Sequence, residues 1–179
     1  NIVATPGTDT ITISATQDDV SSKPKVVLMS DGDKALITSG DKFTFAAVNN
    51  TTNLSSKTVN ATSTFSVSTT NKELTVDTAV VVDITVCIIF QMTAGSASHA
   101  DVAVELYQKD SGGSPVLVHS ISKRVTDFSS DFQQALNFKT TRKAAANSVI
   151  YAEIKCSQIG TSGVSGNIVG GSSITVEQV

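Results

Sequence analysis

The residues of this 179-residue chain that could perform catalysis are few and widely separated. Its two histidines are His99, in a Gly/Ser/Ala-rich segment, and His119, within a strand-like pattern. Neither accompanies a Gly-x-Ser-x-Gly nucleophile motif. A catalytic triad also needs a histidine held beside its nucleophile and an acid, and nothing in the sequence suggests such a group. We therefore predict that the protein is not an enzyme.

Metal-binding and phosphate-binding patterns are equally weak. No two of the four His and Cys residues have the two-to-four-residue spacing of zinc sites. The glycine-rich segments 111–115 and 160–171 do not open a helix, so neither predicts a phosphate site. Asp31, Asp33 and Asp41 lack the closing glutamate of an EF-hand loop. We predict no metal and no cofactor.

The two cysteines, Cys87 and Cys156, are too few for a disulfide framework in a chain long enough to build a full core. Strand alternation places Cys156 on a core-facing phase and Cys87 on the opposite phase, which favours free thiols. A single bridge between them remains the alternative.

The composition excludes two classes of partner. The net charge is −3, only 16% of residues are charged, and about a quarter are Ser or Thr, so no basic patch predicts nucleic-acid binding. No apolar run approaches the ~18 residues of a membrane-spanning helix, so we predict no membrane insertion. Because the chain begins with Asn1, we expect it to be a fragment of a longer protein.

Hydrophobic residues recur with a period of two, which predicts an all-β protein. The alternating runs are short, rich in β-branched residues and bounded by Gly, Asn, Asp or Ser. They fall at 10–14, 42–46, 64–68, 83–90, 101–106, 149–156 and 173–177. About ten strands at this spacing predict a sandwich or jelly roll. Residues 131–146 are expected to begin as a strand and to continue as a loop over 140–147.

The first fifty residues differ from the rest. Gly32-Asp33-Lys34 and Gly40-Asp41-Lys42 each combine a turn with an outgoing strand. We predict a short β stalk over residues 1–50 and a jelly-roll knob over 51–179, with residues 49–60 as an exposed linker or long loop. Two ordinary hairpin turns are the alternative interpretation of the repeated motif.

The second face of several strands is only half polar, which indicates a contact between subunits. Both tyrosines lie on such a face, and tyrosine buries area while keeping a hydroxyl for hydrogen bonding. The alternative is that single exposed apolar residues are normal. The candidate interface residues are Ile89, Ala103, Tyr107, Val149 and Tyr151.

The order of the last strands resembles the tumour-necrosis-factor/C1q jelly roll. The resemblance rests on Asn147-Ser148-Val149-Ile150-Tyr151, on the Ser165-Gly166 turn and on the closing strand Ser173–Val176, and it covers about residues 60–179. Residues 81–84 depart from the pattern, since Val81, Val82 and Ile84 stand where C1q domains carry glycine and aromatic residues. The resemblance implies a homotrimeric knob.

With its low charge, Ser/Thr-rich strands and stalk-like start, the chain is also similar to the vertex spikes of tailless, membrane-containing bacteriophages (tectiviruses). That similarity implies a virion surface protein that attaches to a host. Its partners would be the capsid vertex (penton) protein, other spike proteins and a host cell-surface receptor.

Two other functions remain open from the sequence. One is a bacterial or exosporium surface glycoprotein with a C1q-like trimeric head. The other is a carbohydrate-active sandwich such as a lectin or lyase, which the absence of Trp disfavours because sugar sites usually stack on aromatic rings.

Overall fold

A computed structural model describes residues 23–30, 34–35, 42–44, 54–59, 64–68, 73–93, 99–126, 132–156 and 165–179. Within these ranges the chain forms thirteen β-strands and no helix, as the period-two pattern predicts. The strands are β1 Lys25–Ser30, β2 Lys34–Ala35, β3 Lys42–Thr44, β4 Leu54–Val59, β5 Phe65–Ser68, β6 Glu73–Val76, β7 Val80–Thr93, β8 His99–Lys109, β9 Val116–Thr126, β10 Phe132–Ala144, β11 Ser148–Cys156, β12 Ser165–Ile168 and β13 Ser173–Gln178.

The strands form two antiparallel sheets. In sheet A the order is β2-β12-β7-β13-β1-β4, with β10 on the other side of β7. In sheet B the order is β5-β6-β11-β8-β9, with β3 also pairing with β11. Between β7 and β13 the chain crosses repeatedly from one sheet to the other. Such crossings are typical of a jelly roll, whereas in a simple meander each strand pairs with the next strand along the chain.

The core lies between the two sheets and consists mainly of every second side chain of β1, β6, β7, β8, β11 and β13. On β7 this phase is fully buried from Val82 to Met92, and β8 and β11 supply the facing layer from sheet B. The predicted core phases of the strands at 83–90, 101–106 and 149–156 are therefore confirmed. Burial of this kind stabilises by about 1.5–3 kcal/mol per large aliphatic side chain.

β1 corrects the predicted boundary between stalk and knob. It lies between β13 and β4 in sheet A, with Lys25 opposite Glu177 and Lys25 also opposite Val59. Val26 and Leu28 are buried in the core. Lys25–Ser30 therefore belongs to the sandwich and not to a separate stalk. Residues 1–22, which hold the predicted strand at 10–14, lie outside the described residues, as do the aspartates at 31, 33 and 41.

Two predicted loops are strands. Leu54–Val59, expected to be part of an exposed linker, pairs with β1 along six residues. The predicted loop at 140–147 is wrong as far as Ala144, because β10 stays paired with β7 along its full length. The strands expected after the two Gly-Asp-Lys motifs are confirmed, since β2 and β3 begin at Lys34 and Lys42.

Ser172 closes a gap in the hydrogen-bond ladder of β7. β13 pairs with β7 up to Cys87 and β12 pairs from Phe90, so Ile89 lies between the two partner strands. The buried Ser172 Oγ accepts a hydrogen bond from Ile89 N–H at 2.9 Å and donates one to Val169 O at 2.9 Å. The side chain thus replaces a missing strand partner.

We expect Ser172→Ala to lower the free energy of unfolding by about 1–3 kcal/mol, because it leaves a buried backbone N–H without an acceptor. Urea denaturation followed by circular dichroism measures the change. Ser173→Ala, at the adjacent half-buried outward position that begins β13, is the matched control and should change stability much less. Equal effects of the two substitutions would contradict this role.

Candidate interaction surfaces

The outward face of sheet B carries the two tyrosines as a directly opposed pair. Tyr107 on β8 lies opposite Tyr151 on β11, and their rings are stacked at a centroid distance of 5.4 Å with an interplanar angle of 16°. Both side chains are half-buried within the single chain. Much of the ring surface that predicted a subunit contact is therefore already covered by the neighbouring ring.

Charged residues complete this face. Glu105 Oε2 accepts a hydrogen bond from the Tyr107 hydroxyl at 2.5 Å and lies 2.6 Å from Lys155 Nζ. The hydrogen bond with Glu105 raises the pKa of both Tyr107 and Lys155. Glu153 lies on the same outward phase of β11 as Tyr151 but is only 9% exposed, and it stands directly opposite Glu105. Two facing carboxylates repel each other, and the Lys155 ammonium, which interacts with both, offsets this repulsion.

The outward face of sheet A divides into a charged band and an uncharged patch. The band includes Asp83, which lies 2.6 Å from Lys139, and Glu177, which lies 3.6 Å from Lys25. The uncharged patch, here called the Ile89 patch, continues along the same three strands. It consists of Thr85, Cys87 and Ile89 on β7, Ala135 and Asn137 on β10, and Ser173 and Thr175 on β13.

The five predicted interface residues do not form one surface. Ala103, Tyr107, Val149 and Tyr151 share the outward face of sheet B, whereas Ile89 lies on the outward face of sheet A. The interface role of all five stays a prediction, but a single flat contact that includes all of them is excluded by the sandwich between them.

One side of the sandwich has two adjacent open edges. Among the described residues, β9 pairs only with β8 and β10 pairs only with β7. The two edges touch through His119 and Phe138, whose ring centroids are 4.4 Å apart. Val116 and Leu117 at the start of β9 are 60% and 49% exposed. Open, partly apolar edges of this length invite pairing with another chain.

The described residues contain no group of three or more His, Cys, Asp or Glu that could hold a metal ion. His119 lies in β9 as predicted and packs against Phe138. In the part of the chain that the structure describes, no helix is long and apolar enough to cross a membrane.

Both cysteines are free, as the strand phases predicted. Cys156 on β11 of sheet B is buried in the core, whereas Cys87 on β7 of sheet A is half-buried in the outward-facing Ile89 patch. Burial raises the pKa of Cys156 from its ordinary value of 9.0 to about 12.

This shift predicts a loss of stability in alkali. Between pH 9 and 12 the unfolded thiol loses its proton while the folded Cys156 keeps it, so the free energy of unfolding falls as pH rises. The slope from this group is at most about 1.4 kcal/mol per pH unit. In urea titrations from pH 8 to 11, Cys156→Ala should show a shallower decline than the parent chain. Parallel declines would rule out the thiol as the cause.

Comparison with known proteins identifies the fold and nothing finer. No protein-family model matches the chain, and no curated protein matches it. Many solved structures do match. One is the Eiger tumour necrosis factor of S. frugiperda, which aligns with a TM-score of 0.60 and 9% identity over 88% of this chain and 93% of that chain. The predicted tumour-necrosis-factor-like jelly roll is thereby confirmed.

Proposed function

We propose that this chain is a non-enzymatic structural protein that forms a homotrimeric spike at a virion vertex and attaches the particle to a host. Its fold is that of the tumour-necrosis-factor-like jelly rolls, which the sequence also resembles. The observation that carries the assembly is the uncharged Ile89 patch, because the core of a subunit interface is depleted in charged residues.

The contact between copies joins two different surfaces. The open edges β9 and β10 of one copy pack on the Ile89 patch of the next, so the His119–Phe138 contact where these edges meet is covered together with Ile89. A contact between unlike surfaces is heterologous, and it closes into a ring when the rotation is right. Three copies form that ring, as the resemblance implies.

This arrangement changes part of the interface expected from the sequence. On the outward face of sheet B, the stacked tyrosines and the Glu105–Lys155 pair already make their contacts within one chain. In the proposed trimer that face points away from the neighbouring copies, and Ile89 is the predicted interface residue that remains at the contact.

The attachment surface is placed at the end of the sandwich where β7, β9 and β11 end. This end is opposite to the start of β1, because Lys25 pairs with Glu177 and Glu177 with Asp83 near the start of β7. A domain tethered through the residues before Lys25 presents its far end to a host receptor. The capsid vertex protein and other spike proteins are the partners on the tethered side.

Two measurements test this proposal. Light scattering on the purified chain at micromolar concentration should give three times the 18.6 kDa chain, about 56 kDa. A particle of 18.6 kDa at that concentration would contradict the trimer. Antibodies against the chain should label the vertices of virions and block their adsorption to cells. Labelling of a bacterial or spore surface instead would favour the surface-glycoprotein alternative.

A further inference from the structure

A small cavity opens between the two sheets at the end of the sandwich where β1 begins. Its volume is about 320 Å³, and it is lined by Gln108, Asp110, Gly113, Ser114, Val116 and Arg142. Binding pockets for small molecules start at about 300 Å³, so the cavity suits one compact ligand. No sequence motif marks it, because its walls come from the ends of β8, β9 and β10.

The β8–β9 turn fixes one wall of the cavity. Gly113 N–H donates to Asp110 O at 2.9 Å, and Gly112 has a φ of 72°, in the left-handed region that favours glycine. This tight turn holds the Asp110 carboxylate beside Gln108 and places Ser114 and Val116 on the other side of the opening.

One acceptor atom that is accessible at the cavity, Asp110 Oδ2, has no donor among the described residues. Gln108 Nε2 donates to Asp110 Oδ1 at 3.1 Å and to Lys143 O at 3.3 Å, which uses both amide hydrogens and fixes the amide orientation. Gln108 Oε1 has no hydrogen-bond partner, but it is fully buried and does not open into the cavity. Ser148 Oγ also donates to Asp110 Oδ1, at 2.8 Å, and leaves Oδ2 available.

A cation also lines the cavity. Arg142 on β10 lines the opening, and it makes no salt bridge with the described residues. Hydrogen bonds from Ser148 and Gln108 lower the pKa of Asp110, so the site contains one fixed anion and one cation at neutral pH.

We propose that this cavity binds a compact zwitterion of the α-amino-acid type. The ligand ammonium donates to Asp110 Oδ2, and the ligand carboxylate accepts from the Arg142 guanidinium, in the charge-assisted geometry that arginine favours. Val116 supplies an apolar wall for an aliphatic side chain. A free amino acid presents both charges, and each end of a short peptide presents one of them. The inference does not depend on the proposed function, because the cavity belongs to the single chain.

The test is a titration of the ¹⁵N-labelled full chain, followed by the amide signals of Gly112, Gly113 and the Gln108 side chain. L-Alanine and L-valine are the zwitterionic probes, propionate tests the carboxylate alone and ethylamine the ammonium alone. Each is added to about 10 mM, which nearly saturates a site with a dissociation constant of ~1 mM. Alanine and valine should shift these signals, with propionate and ethylamine at least about tenfold weaker. Alanyl-alanine, whose two charges are farther apart, separates a free amino acid from a peptide.

Two exposed neighbours on β9 provide matched variants. Val116→Glu places a carboxylate at the opening and should abolish binding, whereas Leu117→Glu, the next residue and outside the lining, should leave it unchanged. Arg142→Gln should also abolish binding, and since Arg142 is exposed the fold should survive. Absence of shifts with all probes overturns the proposal. Propionate binding as tightly as alanine overturns it too, because the site would then be an anion site only.

Discussion

Replacing Ile89 by lysine is expected to convert the assembly from about 56 kDa to the 18.6 kDa single chain. The substitution places a charge in the uncharged patch on β7, where the neighbouring copy would have to bury it without a partner. Leaving one charge buried and unpaired costs about 3–5 kcal/mol at each contact. Three identical contacts in a ring multiply that cost, so light scattering at micromolar concentration should detect only monomer.

The matched control is Tyr151→Lys, an equally radical change on the outward face of sheet B. It should leave the mass unchanged, and circular dichroism confirms that both variants stay folded. Cys87 gives a second readout, because it lies in the Ile89 patch. Its labelling by a thiol reagent should be slow in the parent and fast in Ile89→Lys. Dissociation by the tyrosine variant alone would move the interface to sheet B, where four of the five predicted residues lie.

Replacing Val26 by aspartate is expected to unfold the domain or to destabilise it by more than about 3 kcal/mol. Val26 is fully buried between the sheets, and an isolated carboxylate there has no cation or donor to compensate its lost hydration. Against a typical total of about 5–15 kcal/mol, the loss is severe. Urea denaturation, or the soluble yield where the variant does not fold, measures it.

Val27→Asp is the control, because it differs by one position on the same strand. Val27 is half-buried and points to the outward side of sheet A, opposite Thr175. Its replacement should cost less than about 1 kcal/mol in the single chain. If both variants are equally stable, β1 is not packed into the core and the original boundary at residue 50 is restored.

Alternation within single segments predicted the strands that have one face in the core along their whole length. Residues 83–90, 101–106 and 149–156 alternate because one side of each faces the core and the other does not. β4 was not predicted because Leu54–Val59 is mostly polar and lacks a clear alternation. Its strand structure depends on pairing with β1, which is not adjacent in the sequence. The end of β10 was missed for the same reason, since Thr140–Ala144 is polar on an open edge.

The candidate surfaces were predicted less completely than the strands. Alternation identifies which residues share the outward phase of one strand, but it does not say to which sheet that strand belongs. Ile89 and Tyr107 were therefore grouped together although the whole core separates them. The burial of Glu153 and the cavity at Arg142 depend on neighbouring strands and turns, so no pattern within one strand could reveal them.

The position of β1 has a mechanical consequence. Five residue pairs join it to β13 and six join it to β4, all antiparallel, and its first residue lies at the end of the sandwich where the chain enters. A force applied to the residues before Lys25 and opposed at the far end of the domain acts along the axis of this strand. Both ladders are then loaded in shear, so their hydrogen bonds must yield together and not one after another. The domain is built to withstand tension in that direction.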